Sequence, residues 1–90
     1  MVCTPFVIGE KENGGNPQDA NLNAFSNIIR RQATTYHCSL RDLRKAFTAY
    51  LQQNNPGNKI YGISTADTIH LNVAGNRLVA AEMLQALVEN

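Results

Sequence analysis

An acid and a histidine stand three residues apart in Asp67-Thr68-Ile69-His70, shortly before a helix-forming stretch. In a loop ahead of a helix, this spacing lets the carboxylate reach one imidazole nitrogen while the other nitrogen faces a nucleophile. Such a carboxylate fixes the histidine tautomer and stabilises the imidazolium that forms during acyl transfer. An unperturbed histidine also titrates near neutral pH, as a general base requires. Asp67 and His70 are therefore the candidate catalytic residues, and the alternative is a loop carboxylate beside a histidine without catalytic role.

Two other kinds of site are weaker candidates. A metal site built from Asp67, His70 and His37 would need ligands from distant segments, with no cysteine or histidine cluster to support it. The pair Gly14-Gly15 lacks the strand, helix and lysine of a phosphate-binding loop, so it indicates a flexible loop. We expect neither a metal nor a cofactor.

Length and composition place the chain among small soluble domains. Its 90 residues carry a net charge of +1 and fit a single domain over residues 1–90. No long basic or acidic run suggests nucleic acid or an anionic membrane as a partner. No apolar stretch approaches the roughly 18 residues of a membrane span, and the N-terminus does not resemble a signal peptide. We therefore expect a cytoplasmic protein.

The two cysteines, Cys3 and Cys38, do not form a disulfide framework. Both lie in short apolar segments that could be neighbouring strands, so a bridge between them is conceivable. We favour two buried free thiols, because free cysteine packs as a small hydrophobic residue.

Proline positions and the spacing of apolar residues predict the first strand and the first helix, two of the elements that must position the site. Pro5 cannot donate a ladder hydrogen bond, so the first strand is predicted over residues 2–4. Asn16-Pro17 is typical of a helix start, which predicts a helix over residues 17–35 with Asn16 as its N-cap. Arg30-Arg31 near its end fits solvated charges that favour the helix dipole. The apolar face of this helix consists of Leu22, Phe25, Ile29, Ala33 and Tyr36.

Three more elements complete the chain. Residues 37–41 are a candidate strand, and Asp42 can cap a helix that ends at residues 54–58, where Asn, Pro and Gly cluster. A loop follows, and Asn72 is the predicted N-cap of a last helix from residue 73 to about residue 88. Apolar residues of this last helix cover more than one face, so we expect it to be largely buried.

The order of these elements indicates the fold class. Alternation of strands and helices favours an α/β fold with a parallel sheet. A parallel sheet normally has several strands and is covered on both faces, and two short strands do not reach that size. The chain is therefore predicted to be the C-terminal half of a doubly wound domain.

The block Asp67-Thr68-Ile69-His70-Leu71-Asn72, followed by Gly75-Asn76 and an apolar helix, closely resembles the last motif block of the SGNH (GDSL-type) hydrolases. The subgroup it resembles is the isoamyl acetate-hydrolysing esterase type. The resemblance covers nearly the whole chain. Upstream it includes Thr4-Pro5, Gly9-Glu10-Lys11, Asn27-Ile28-Ile29-Arg30, Asp42-Leu43-Arg44-Lys45-Ala46-Phe47, Tyr50-Leu51 and Asn55-Pro56.

The resemblance implies both a fold and an activity. The fold would be the C-terminal half of a flavodoxin-like, three-layer α/β/α SGNH domain with two short parallel strands and three helices. His70 would be the general base and Asp67 the acid that orients it. The activity would be hydrolysis of small carboxylic esters by acyl transfer, as in serine esterases and lipases.

Other parts of the family's machinery are not in this sequence. There is no Gly-Asp-Ser block for the nucleophile and no Gly-x-Asn-Asp block for the oxyanion donors. Ser26, Ser39 and Ser64 fall in a helix, a candidate strand and a loop, where we expect structural roles. A base without a nucleophile cannot form an acyl-enzyme, and without oxyanion donors a large electrostatic stabilisation is lost. We therefore expect a fragment of such an esterase that is inactive alone.

The alternative is a non-catalytic, self-associating interaction module derived from such a hydrolase. Two strands without neighbours expose sheet edges, and uncovered apolar helix faces recruit other chains. The expected partners are a second copy of the chain or a missing N-terminal half, together with a small ester substrate.

Overall fold

The computed structural model describes the backbone of residues 1–89 and the side chains of residues 1–88. Its elements are β1 (Val2–Cys3), α1 (Asp19–Thr35), β2 (Leu40–Arg41), α2 (Leu43–Asn54) and α3 (Val73–Glu89). The two strands pair in parallel, with Val2 opposite Leu40. The predicted α/β fold with two short parallel strands and three helices is confirmed.

Both strands are shorter than predicted because local backbone geometry ends them. Val2 donates its N–H to the Ser39 carbonyl at 2.8 Å, and Thr4 donates to Arg41 at 3.2 Å, after which Pro5 has no N–H to offer. His37 has a φ of 55°, a left-handed conformation that a strand does not accept. The second strand therefore begins at Leu40 rather than at residue 37.

Two of the three predicted helix caps are confirmed. The Asp42 carboxylate accepts the backbone N–H of Lys45 at 3.1 Å at the start of α2. The Asn72 side chain accepts the N–H of Gly75 at 3.0 Å at the start of α3. Each satisfies one of the backbone donors that a helix start leaves without an intrahelical partner.

Asn16 is not the N-cap of α1, which corrects the sequence prediction. Its side-chain oxygen accepts the N–H of Lys11 at 3.0 Å, and its amide donates to the Lys11 carbonyl at 2.8 Å. The side chain is therefore committed to closing the preceding loop. As a result α1 begins at Asp19 rather than at residue 17.

The core forms where α2 meets the chain that follows β1. Val7, Leu43, Phe47 and Leu51 are buried together, and the rings of Phe6 and Phe47 lie 5.1 Å apart. From α3, three partly buried side chains pack against this cluster: Leu78, Val79 and Met83. From the loop ahead of α3, Ile63 and Leu71 also pack against this cluster, so burial of apolar area contributes to holding the loop in place.

The predicted burial of α3 is wrong. Leu84, Leu87 and Val88 are exposed at 63%, 72% and 79%. One face of α3 rests on the core, and a two-stranded sheet is too small to cover a second face. Leu84, Leu87 and Val88 therefore form an apolar, solvent-facing surface at the C-terminal end of α3.

Two further burial predictions need correction. Phe25 on α1 and Tyr36 directly after it are exposed, whereas Ser26 on α1 is buried, with no hydrogen-bond partner for its hydroxyl in the part of the chain that the structure describes. Cys3 and Cys38 are both free as predicted, but neither is fully buried, since Cys3 is half-buried and Cys38 is exposed. In both regions, spacing along the sequence identified an apolar stretch without identifying which side chains have neighbours.

Two arginine–aspartate pairs join α1 to α2. Arg44 is buried and donates to Asp19 at 3.0 Å, and also to Asn23 at 2.8 Å and the Phe6 carbonyl at 2.7 Å. Arg30, expected to be a solvated charge, instead donates two hydrogen bonds to the Asp42 carboxylate at 2.7 and 3.0 Å. Its guanidinium, chiefly by hydrogen bonding, lowers the pKa of Asp42.

Candidate acid–histidine site

Asp67 and His70 lie together in the loop between α2 and α3. The Nδ1 atom of His70 is 2.7 Å from Oδ2 of Asp67, a hydrogen-bond distance. Both side chains face solvent, with 78% of the His70 side chain and 55% of the Asp67 side chain exposed. In the neutral imidazole that donates from Nδ1, Nε2 carries a free lone pair and can accept a proton.

The Asp67 carboxylate is also held by the backbone. Its Oδ1 accepts the N–H of Ile69 at 3.0 Å and the N–H of His70 at 2.8 Å. The pKa of Asp67 falls from its ordinary 3.8 to about 2, mainly through the His70 N–H, then through the imidazole and the Ile69 N–H. Asp67 is therefore ionised at neutral pH and can orient the imidazole and stabilise its protonated form.

The pair sits at the tip of a narrow loop that we call the 65–71 hairpin. Thr65 and Leu71 form an antiparallel bridge, and Ala66 donates its N–H to the His70 carbonyl at 2.8 Å. Thr68 has a φ of 85°, a conformation that is uncommon for a β-branched residue and turns the chain between Asp67 and His70. This turn brings the carboxylate back toward the imidazole.

Sequence reasoning did not identify Glu10 as part of this region. Glu10 is fully buried, and its two carboxylate oxygens accept hydrogen bonds from consecutive residues of the loop. Ile63 donates its N–H at 2.9 Å, Ser64 donates its N–H and its hydroxyl, and Thr65 donates its hydroxyl at 3.2 Å. The available sequence signal was an acid two residues after an apolar segment that ends at Ile8. The distant residues that donate to this acid follow only from the tertiary fold.

Backbone groups of residues 9 and 10 also form hydrogen bonds with the same loop. Gly9 donates its N–H to the Thr68 carbonyl at 2.8 Å, and Glu10 donates to Ile60 at 2.9 Å. The buried Asn55 side chain donates to the Glu10 carbonyl at 2.8 Å. The chain after β1 therefore contacts the loop both at its base and inside the 65–71 hairpin.

Gly75 lets the first turn of α3 approach the loop closely. A β-carbon at this position would collide with the Ser64 carbonyl oxygen and with the Leu71 side chain. Asn72, which caps the helix, also donates its N–H to that Ser64 carbonyl at 3.1 Å. The absence of a side chain at Gly75 thus fixes the distance between α3 and the loop that carries His70.

The serines do not supply a nucleophile to His70. Ser26 and Ser64 are both 0% exposed, and the Ser64 hydroxyl donates to Glu10 at 2.7 Å. Ser39 precedes β2, where its carbonyl accepts the N–H of Val2. The structure therefore places Asp67 and His70 together, and within the described chain no serine is hydrogen-bonded to the imidazole.

The surroundings of the pair are open. A cavity of about 180 Å³ lies beside the 9–16 loop, where Arg44, Asn23 and Lys11 are among its lining residues, and neither Asp67 nor His70 lines it. Among the described side chains, those of residues 1–88, no three from His, Cys, Asp or Glu come together as metal ligands. No helix within residues 1–89 is long and apolar enough to cross a membrane.

A crystal structure of an acetyl xylan esterase is similar to this chain. The two share 52% sequence identity and superpose with a TM-score of 0.93 over 96% of this chain. The chain spans 43% of the length of that esterase. No protein-family model matches the chain, and no curated protein sequence matches it.

The match bears on the resemblance seen in the sequence. It supports an origin in an esterase-type hydrolase, whereas the isoamyl acetate-hydrolysing type stays a prediction. At this identity and superposition, the order and placement of the two strands and three helices are those of the corresponding part of an esterase. The chain is therefore, in sequence and in structure, similar to a segment of an esterase-type hydrolase.

Proposed function

We propose that this chain supplies the histidine and aspartate of a Ser-His-Asp triad in a carboxylic ester hydrolase. The observation that carries the proposal is the 2.7 Å contact between His70 Nδ1 and Asp67 Oδ2. It occurs in a chain that is 52% identical to part of an acetyl xylan esterase. Asp67 holds the imidazole with Nδ1 protonated, and Nε2 takes the proton of a serine during acylation.

The nucleophile and the oxyanion donors come from outside the described residues in this proposal. His70 Nε2 would accept the serine proton as the hydroxyl oxygen attacks the ester carbonyl, and would return it to the leaving alcohol. Water would then attack the acyl-enzyme with the same histidine as base. The chain alone has the base without the attacking group, so we expect no measurable turnover from it.

The substrate class follows from the similar esterase and from the sequence resemblance. An acetyl xylan esterase removes acetyl groups from a carbohydrate, and the isoamyl acetate type hydrolyses acetate esters of small alcohols. Both names therefore indicate an acetate ester, so we propose a substrate with a short acyl group. In this proposal, residues outside this chain bind the alcohol group of the ester.

A chimera tests the triad assignment directly. The matching 43% of the acetyl xylan esterase is replaced by this chain, and hydrolysis of an aryl acetate is measured. We expect an active chimera in which His70→Ala lowers kcat by about a thousandfold or more, because the base is lost. Asp67→Asn is expected to lower kcat by about a hundredfold or more, because the amide does not stabilise the imidazolium.

A matched control separates catalysis from folding. His37→Ala alters the chain's other histidine, which lies exposed after α1, and is expected to leave kcat within about twofold of the chimera. A folded chimera whose rate survives His70→Ala would contradict the assignment. In the isolated chain, turnover above buffer that His70→Ala abolishes would require a nucleophile within this sequence.

A second proposed function is self-association as an interaction module. The observation that favours it is the apolar outer surface of α3. In addition, β1 and β2 form a sheet of only two strands, whose outer edges have no strand partner in the described residues. Exposed edges and apolar patches are the surfaces through which chains associate.

A further inference from the structure

The buried Glu10 carboxylate accepts hydrogen bonds from one short segment of the loop ahead of α3. Its donors are four neutral N–H and O–H groups from three consecutive residues, Ile63, Ser64 and Thr65. Burying a carboxylate is unfavourable unless hydrogen bonds compensate for the water it loses. A buried acid that gathers this many donors fixes the segment that supplies them.

Thr65 connects Glu10 to the hairpin that bears the site. Its hydroxyl donates to Glu10 Oε1 at 3.2 Å and accepts the N–H of Thr68 at 3.2 Å. A hydroxyl has one hydrogen, so donation to Glu10 leaves its lone pairs directed toward Thr68. The direction of this hydroxyl therefore depends on an acceptor at position 10.

Thr68 in turn sets the geometry of the acid–histidine pair. It lies between Asp67 and Ile69 with a φ of 85°, a strained conformation that the surrounding contacts must hold. Its N–H is held by Thr65 and its carbonyl by the N–H of Gly9. Both sides of the strained residue are thus anchored, one of them through Glu10.

We propose that Glu10 is a positioning residue for His70, acting through Thr65 and Thr68 to keep the imidazole aligned with Asp67. The inference deepens the proposed function, because the alignment fixes which nitrogen of His70 is free to accept a proton. Glu10 itself touches neither the imidazole nor Asp67 in the contacts that hold these side chains.

The tautomer of His70 is a readout that needs no substrate. In the ¹⁵N-labelled chain at about pH 8, where an ordinary histidine is neutral, imidazole nitrogen shifts report which nitrogen carries hydrogen. We expect His70 in the wild-type chain to favour the Nδ1–H form, with His37 as an internal reference. Glu10→Gln replaces one of the two accepting oxygens with an NH2 group that only donates and so disrupts this set of contacts. We expect it to lower the Nδ1–H to Nε2–H ratio of His70 about fivefold, as for loss of one net hydrogen bond.

Two further variants separate positioning from loss of stability. Thr65→Val keeps the shape of the side chain but removes the hydroxyl, and is expected to lower the same ratio without adding to the effect of Glu10→Gln in the double variant. Leu22→Ala destabilises α1 packing without removing a Glu10 contact, and is expected to leave the ratio unchanged.

The outcomes decide the inference independently of esterase activity. A folded Glu10→Gln chain with the wild-type ratio would overturn it, as would a Leu22→Ala chain that shows the same change. If Glu10→Gln does not fold, an unchanged ratio in folded Thr65→Val overturns it equally. An inactive chimera with these shifts intact would reject the proposed function while leaving the positioning role in place.

Discussion

At the residue scale, Asp67 combines a largely exposed side chain with a strongly lowered pKa. Two backbone N–H groups and one imidazole converge on its carboxylate, so the ionised form is favoured without burial. An acid three residues before a histidine is enough to suggest this pair from the sequence. The positive φ of Thr68, which closes the turn, has no sequence signal of its own, because glycine would be the expected residue there.

The lowered pKa of Asp67 predicts how stability depends on acid. Because its folded pKa is about 2 against an ordinary 3.8, ionised Asp67 stabilises the fold above about pH 4. That contribution is lost as pH falls through about 2. In urea unfolding, wild type should exceed Asp67→Asn in stability at pH 5 by a margin that shrinks toward about pH 2.

The imidazole provides the control for this acid dependence. In a His70→Ala background, Asp67 keeps its two backbone N–H donors and loses only the imidazole. The stability difference between the chain with Asp67 and its Asp67→Asn variant should then be smaller but should have the same sign. A margin that stays constant from about pH 5 to about pH 2 would show that Asp67 titrates normally in the folded chain.

At the scale of elements, the structure depends on two ion pairs that differ in burial. In the Arg44–Asp19 pair the side chains are 6% and 11% exposed, and in the Arg30–Asp42 pair they are 35% and 22% exposed. Both pairs connect α1 with the start of α2. The buried pair also holds the Phe6 carbonyl, so it fixes the chain that leads to Glu10.

These pairs give a matched prediction for the free energy of unfolding. Arg44→Ala is expected to lower it by about 3–5 kcal/mol, because Asp19 is left as a buried charge without its partner. Arg30→Ala should lower it by about 1 kcal/mol, because solvent screens the more exposed pair. Chemical denaturation measures both, and equal losses in the two variants would refute the dependence on burial.

Element prediction from the sequence was best where a cap or a proline gives a local signal. Asp42 and Asn72 cap their helices as predicted, because each side chain reaches a backbone N–H within the same turn. Asn16 has the same residue type, but it closes a loop onto Lys11 instead. The Asn16 side chain could bond either to the helix start or to Lys11, and residue type and spacing do not show which hydrogen bond is the more stable.

At the scale of the whole molecule, the outer surface of α3 predicts association. We expect light scattering at tens of micromolar to show species larger than a monomer, because Leu84, Leu87 and Val88 face solvent. Leu87→Glu should shift the distribution toward monomer by placing a charge on this surface. Gln85→Glu, also exposed, is the matched control and should change it little. A monodisperse wild-type monomer would contradict the prediction.

The sequence by itself determined the α/β class, the helices and the acid–histidine pair, because these depend on periodicity, capping and contacts across a few residues. Only the tertiary structure decided that Glu10 collects donors from residues 63–65 and that much of α3 faces solvent. Those features depend on which distant segments meet, which apolar spacing does not specify. Asp67 and His70 are thus a local motif on a loop that distant residues, Gly9 and Glu10, contact.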